Sequence, residues 1–179
     1  MTTGYRPCMR PVANSTSVAE TAMLLMLECS RNVIELRKIW VQDYYKAKLK
    51  TRKTTVNGKT VGIIGCGNIG SRLAVRALGM EMNVLAYDPY KKADEFPEGV
   101  EVVRDLDRIF KESDYVSLHV PNTPITRGMV NKERLEMMKP TAFLINTARG
   151  GCVVEQDLYE ACKNKPLGSI SWRSSVLSE

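Results

Sequence analysis

Histidine is almost missing: the 179-residue chain has one, His119. Its five cysteines, Cys8, Cys29, Cys66, Cys152 and Cys162, stand far apart, with no C-x-x-C pair and no Cys/His cluster. That spacing argues against a zinc site or a disulfide framework, so no metal centre is expected and a reducing compartment is. Long apolar runs are lacking too. The longest, Ala22 to Leu27, falls far short of the ~18 residues a membrane span requires, so no membrane partner is expected. Met1 to Pro7 contains no apolar core of a signal peptide, and cytoplasm is the expected location. With 44% apolar and 26% charged residues, the composition excludes a disordered chain, a collagen-like chain and a coiled coil. A globular domain of ordinary size remains.

Acidic residues are absent from one stretch. Residues 46–59 carry Lys46, Lys48, Lys50, Arg52, Lys53 and Lys59 and nothing to balance them. Without these six, basic and acidic residues balance at 20 each, so the net charge of +6 has a single address. A nucleic-acid domain spreads its basic face over a fold or along a motif, and no such motif is present. The stretch reads as a solvated connector, and no nucleic-acid partner is expected.

Around it the pattern is regular. Residues 1–13, with Pro7 and Pro11, read as an extended lead-in. A long helix is expected over 14–45, opened by the capping-box spacing of Ser17 and Glu20. Its apolar stripe runs Val18, Ala22, Leu25, Cys29, Val33, Leu36 and Trp40, and such a surface must pack against core or another subunit. From Thr60 a strict alternation begins, with strands expected at 60–64, 83–87, 100–103, 115–120 and 142–146. Helices fall between them at 69–78, 105–111 and 132–138, and a last one at 155–163. Apolar strands separated by helices make a parallel sheet covered on both faces, a doubly wound α/β domain.

Between the first strand and its helix lies Gly65-Cys66-Gly67-Asn68-Ile69-Gly70. Gly65 permits the tight turn, Gly67 the approach of a pyrophosphate, and Gly70 the close packing of helix on sheet. The helix N-terminus then offers free N–H groups to phosphate. Asp88, eighteen residues after Gly70, ends the second strand. A carboxylate there accepts both ribose hydroxyls of an adenosine and repels a 2′-phosphate, which favours NAD over NADP. Lys91 and Lys92 stand beside it and could partner such a phosphate. S-adenosylmethionine is the rival ligand for a glycine loop followed by an acid.

These residues, with Asn14 to Glu20, Leu118-His119-Val120-Pro121-Asn122-Thr123-Pro124 and Asn146-Thr147-Ala148-Arg149-Gly150, resemble the cofactor domain of the D-isomer-specific 2-hydroxyacid dehydrogenases. The match runs over about residues 11 to 167. The resemblance implies a Rossmann domain over 14–167 and hydride transfer between NAD and the CH–OH group of a D-2-hydroxy acid. It also implies a 2-hydroxy or 2-keto acid substrate and a homodimer. It sets Asn68 and Ile69 against the pyrophosphate with Gly65, Gly67 and Gly70, and Asp88 on the ribose. Val120 and Pro121 lie along the cofactor, and Thr147 and Ala148 under the nicotinamide. Arg149 is expected to grip the substrate's carboxylate, which a guanidinium does bidentately and without losing charge. His119 is expected to be packed or supporting, because the family's catalytic histidine falls beyond Glu179.

The same comparison marks departures. A substrate-binding domain has no counterpart here, and residues 168–179 form a divergent tail. Counting from Arg149, Arg173 takes the place of an aspartate and Ser178 that of the catalytic glutamate. The isolated chain is therefore expected to be weakly active or inactive. An NAD(H)-dependent protein-binding or dimerisation module without catalysis is the alternative.

Overall fold

A computed structural model describes residues 14–42, 54–164 and 171–172. The expected lead-in over 1–13, residues 43–45 of the expected helix, residues 46–53 of the basic connector and tail residues 168–170 and 173–179 lie outside them.

Among the described residues, six strands form one parallel sheet: β1 (Thr60–Ile64), β2 (Asn83–Tyr87), β3 (Glu101–Val102), β4 (Tyr115–Leu118), β5 (Phe143–Asn146) and β6 (Ser171–Trp172). Their order is β3-β2-β1-β4-β5-β6, so the chain winds outward one way from β1 and then the other. The reversal opens a crevice between β1 and β4 at the carboxyl edge, where such sheets bind ligands. The helices are α1 (Ser15–Arg31), α2 (Val33–Gln42), α3 (Asn68–Gly79), α4 (Leu106–Glu112), α5 (Lys132–Met137) and α6 (Glu155–Asn164).

Each strand serves two cores because successive side chains point to opposite faces. Val61, Ile63, Val84, Ala86, Tyr115 and Ile145 join one apolar cluster with α1 and α3. Ile64, Leu85, Val116, Leu118 and Leu144 join the other with α4, α5 and α6. Both clusters are fully formed, which is why these strands read as continuous apolar runs rather than alternating ones. At the centre, Gly62 lets α4 close on the sheet: a Cβ there would collide with the Ser113 and Ile109 side chains.

The N-terminal helix departs from its expected detail. It starts at Ser15, which places Ser17 inside the first turn instead of at the cap. The Ser17 hydroxyl donates to the Asn14 carbonyl at 3.0 Å, and Glu20 pairs with Arg76 of α3 at 3.2 Å, so the capping box does not form. The buried stripe is Ser15, Ala19, Ala22, Met23, Met26 and Ser30, one step round from the expected one. Alanines decide this, since Ala19 and Ala22 join Ala74 and Ala77 in one cluster and let α1 lie close to α3. The helix then breaks at Asn32, held at φ 50° and ψ 48°, a left-handed conformation that asparagine tolerates, and continues as α2. Thr54 answers the break: its N–H and hydroxyl both donate to the Ser30 carbonyl, at 3.0 and 3.1 Å. Leu24, Val33, Ile34, Trp40 and Val41 remain exposed along α1 and α2.

Candidate functional site

The glycine loop sits where β1 ends. Gly65 has φ +89°, and a Cβ on it would stand 2.7 Å from the His119 carbonyl oxygen and 2.8 Å from Val120 Cγ1. Both demands select glycine, one conformational and one steric. A Cβ on Gly70 would collide with the Gly65 carbonyl, so α3 lies against its own loop. Gly67 differs, because a Cβ there would meet nothing within 4 Å: its freedom faces open space. Gly67 is also the N-cap of α3 and brings no side-chain cap, which leaves the first-turn N–H groups for an anion. Asn68 is exposed beside it and Ile69 half-buried.

Asp88 is locked against this loop. One carboxylate oxygen accepts the Cys66 N–H and the other the Tyr90 N–H, each at 3.0 Å. Ser71 closes the loop from the helix side, donating its hydroxyl to the Cys66 carbonyl at 2.8 Å. Burial pushes the Cys66 thiol above its ordinary value, so it stays protonated and only its backbone faces the loop's work.

On the other flank of β1, a cleft of about 510 Å³ opens over the ends of β4 and β5. It brings together Ile69, Val120, Pro121, Thr147, Ala148 and Arg149 from the expected set. Gly65, Gly67, Asn68, Gly70 and Asp88 lie outside its lining, along the loop and the β2 end. Three further residues enter from the start of α1: Asn14, Ser15 and Val18. They were legible only as the opening of a helix, because nothing local says that α1 points its first turn at the sheet edge. Asn122 and His119 complete the wall.

Arg149 is exposed at this edge, and its guanidinium meets no carboxylate among the described residues. The turn that carries it is shaped by buried Asn146, which donates to the Arg149 carbonyl and accepts the Ala148 N–H, both at 3.0 Å. His119 Nε2 lies 2.9 Å from the Ser117 hydroxyl, while Nδ1 is sealed without a partner, as is Thr147 Oγ1. Desolvation lowers the His119 pKa to about 4, so the imidazole is neutral at physiological pH. Orphaned polar atoms at two neighbouring strand ends, an uncapped helix and an open glycine together fit a polar, phosphate-bearing cofactor laid along the edge. Among the described residues, no group of three His, Cys, Asp or Glu side chains could hold a metal ion. No described helix is long and apolar enough to cross a membrane.

Comparisons with known proteins agree with this geometry. The sequence profile of the D-isomer specific 2-hydroxyacid dehydrogenase NAD binding domain matches residues 23–171. Hydroxypyruvate reductase of Thermotoga maritima is 45% identical over 157 residues, covering 88% of this chain and 50% of the relative. D-3-phosphoglycerate dehydrogenase of Methanocaldococcus jannaschii is 41% identical over 155 residues, covering 86% and 29%. Among solved structures, D-lactate dehydrogenase from Aquifex aeolicus complexed with NAD and lactic acid superposes with a TM-score of 0.75 at 36% identity, over 88% of this chain and 47% of that one. The chain thus spans half or less of the length of each of these proteins.

Proposed function

The chain belongs to the D-isomer specific 2-hydroxyacid dehydrogenase family, matching its NAD-binding domain, and from that premise we propose that it serves the oxidation of the CH–OH group of a D-2-hydroxy acid, or reduction of the matching 2-keto acid. Bound NAD supplies the hydride acceptor of that reaction, and NADH the donor. The chain's own residues bind and orient. Gly65, Gly67, Asn68, Ile69 and Gly70 hold the pyrophosphate, and Asp88 takes the adenosine ribose. Val120 and Pro121 flank the cofactor, while Thr147 and Ala148 lie under its reacting ring. Arg149 fixes the substrate's carboxylate.

The observation that carries the reading is the guanidinium of Arg149, free of any carboxylate among the described residues, at the cleft that Thr147 and Ile69 also line. An arginine left unpaired beside a cofactor edge is suited to a planar anion. The test is calorimetric. NADH should bind, and oxamate, a 2-keto acid mimic, should then bind to the NADH complex. Arg149→Gln should leave NADH affinity intact and weaken oxamate about 10- to 100-fold, the worth of a charge-assisted hydrogen bond. No NADH binding would overturn the cofactor assignment, and oxamate binding indifferent to Arg149 would overturn the substrate assignment.

The same reading includes a homodimer. Its support is the set of large apolar side chains exposed along α1 and α2, Leu24, Val33, Ile34 and Val41, which a second copy would cover. It includes a cytoplasmic location, supported by Cys66, Cys152 and Cys162, which form no disulfide among the described residues. The comparisons name oxidoreductases and do not favour a binding module without catalysis.

A further inference from the structure

We infer that Thr126 is a positioning residue: it ties the cofactor wall of the cleft at Pro121 to the turn that carries Arg149, and so sets the spacing at which a substrate is gripped. The inference rests on the function proposed above and concerns what holds its two halves in register. Thr126 lies past the end of β4, in the loop that leads from Pro121 to α5. Its hydroxyl has one proton to give and donates it to the Pro121 carbonyl. As acceptor it takes the Thr123 N–H at 2.8 Å and stands 3.0 Å from the Thr123 hydroxyl, which donates because the Thr126 proton is already engaged. One side chain therefore folds residues 121–126 back on themselves.

The same side chain lies against the buried Cys152 thiol, on the turn that begins at Arg149. That turn closes through the Cys152 N–H to the Arg149 carbonyl at 3.2 Å and the Val153 N–H to the Gly150 carbonyl at 3.0 Å. Beyond Thr126 the two segments are stitched by backbone. Gly128 N–H donates to the Gly151 carbonyl at 2.8 Å, Val130 N–H to the Cys152 carbonyl at 3.0 Å, and Val154 N–H to the Val130 carbonyl at 2.9 Å. Gly128 permits the approach: it has φ +61°, and a Cβ on it would stand 3.2 Å from Val154 Cγ2. At the cleft, Asn122 packs over Gly151, whose Cβ would stand 2.7 Å from the amide nitrogen. Pro121 and Arg149 thus belong to one body, and Thr126 is the side chain that reaches both segments. A substrate held between cofactor and arginine feels the spacing of both, and a misplacement near 1 Å can cost about 100-fold. The dinucleotide has the glycine loop and Asp88 as well, and depends on Pro121 less.

Calorimetric titration of NADH, and of oxamate on the NADH complex, tests this with the full chain. Thr126→Val keeps the shape and removes the hydrogen bonds: NADH affinity should stay within about threefold while oxamate weakens about tenfold. Thr126→Ser restores the hydroxyl and should return oxamate to within about twofold of the parent. Gly151→Ala, which displaces the Asn122 amide, should weaken oxamate about threefold and leave NADH unchanged. Amide hydrogen exchange on the ligand-free chain gives an independent readout. Thr126→Val should speed exchange about tenfold at Thr123, and also at Cys152 and Val153 in the Arg149 turn. Should Thr126→Val fail to fold, Thr126→Cys keeps a weaker donor and should show the same split in smaller measure. The proposal is overturned if oxamate binds Thr126→Val as tightly as the parent, or if Thr126→Ser does not rescue it. It also falls if the change in exchange stays within residues 121–127. A parent that binds NADH without oxamate, or neither, instead overturns the function proposed above, and the exchange comparison still decides the role of Thr126.

Discussion

The two flanks of β1 are built to different standards of completion. On the β2 flank the polar groups against the loop are engaged: Asp88 with two backbone N–H groups, Ser71 with the Cys66 carbonyl, and Lys91 with the Glu95 carbonyl. On the β4–β5 flank, among the described residues, His119 Nδ1 and Thr147 Oγ1 are sealed without partners and Arg149 meets no carboxylate. Leaving a buried polar atom unpaired costs about 1–3 kcal/mol. The first flank is a rigid socket. The second holds unspent hydrogen-bonding capacity beside the place where chemistry is proposed, which suits groups that must respond to a reacting ring.

Acidification should break this contrast most strongly. His119 titrates near 4 in the folded chain against an ordinary value of 6.5. Between those values the unfolded chain binds a proton that the folded chain does not, so stability rises with pH there and is lost as pH falls. The loss should total roughly 3 kcal/mol by pH 4. Urea unfolding at stepped pH reads it, and His119→Asn should remove that component; identical slopes in parent and variant would place the acid sensitivity elsewhere. The completed flank is attacked by Gly65→Ala, which forces a left-handed residue against His119 and Val120. A destabilisation of about 2 kcal/mol in thermal melts is expected, together with loss of NADH binding. A smaller effect, about 1 kcal/mol, is expected for Asn146→Ala, which frees the turn under Arg149. Oxamate affinity should fall with it while NADH affinity holds. Least affected should be Ser17→Ala, below about 0.5 kcal/mol, because the hydroxyl caps nothing. A loss near 1 kcal/mol would restore the capping role that the sequence suggested.

Local units were legible and long-range placements were not. β1 and β2 fall on their expected residues, and Asp88 stands where a count from Gly70 puts it, because strand, loop, helix and strand form one contiguous unit. The α1 stripe is displaced by a step because the choice between Val18 and Ala19 belongs to α3, not to α1's own periodicity. Asn32 gives no local sign that it ends a helix until its φ is seen. Asn14 is invisible as a site neighbour for the same reason: it reaches the edge at the start of a helix that only tertiary packing brings there. His119 lines the cleft and leans on Ser117, a juxtaposition two residues apart that strand geometry permits.

The central place of β1 has a consequence for how the molecule comes together. Its pairing with β2 closes a short loop through α3, whereas its pairing with β4 must gather chain from much farther away, as the Thr60 N–H to Asp114 contact across 54 residues illustrates. Nearby contacts cost less entropy to form and come earlier. Pulse-labelled refolding should therefore protect the amides of β1 and β2 before those of β5, and simultaneous protection would contradict it. A nascent chain would hold the finished β2 flank while the flank where chemistry is proposed is still unmade. Nucleotide could then act on the folding chain as a template, present before there is anything for it to react with.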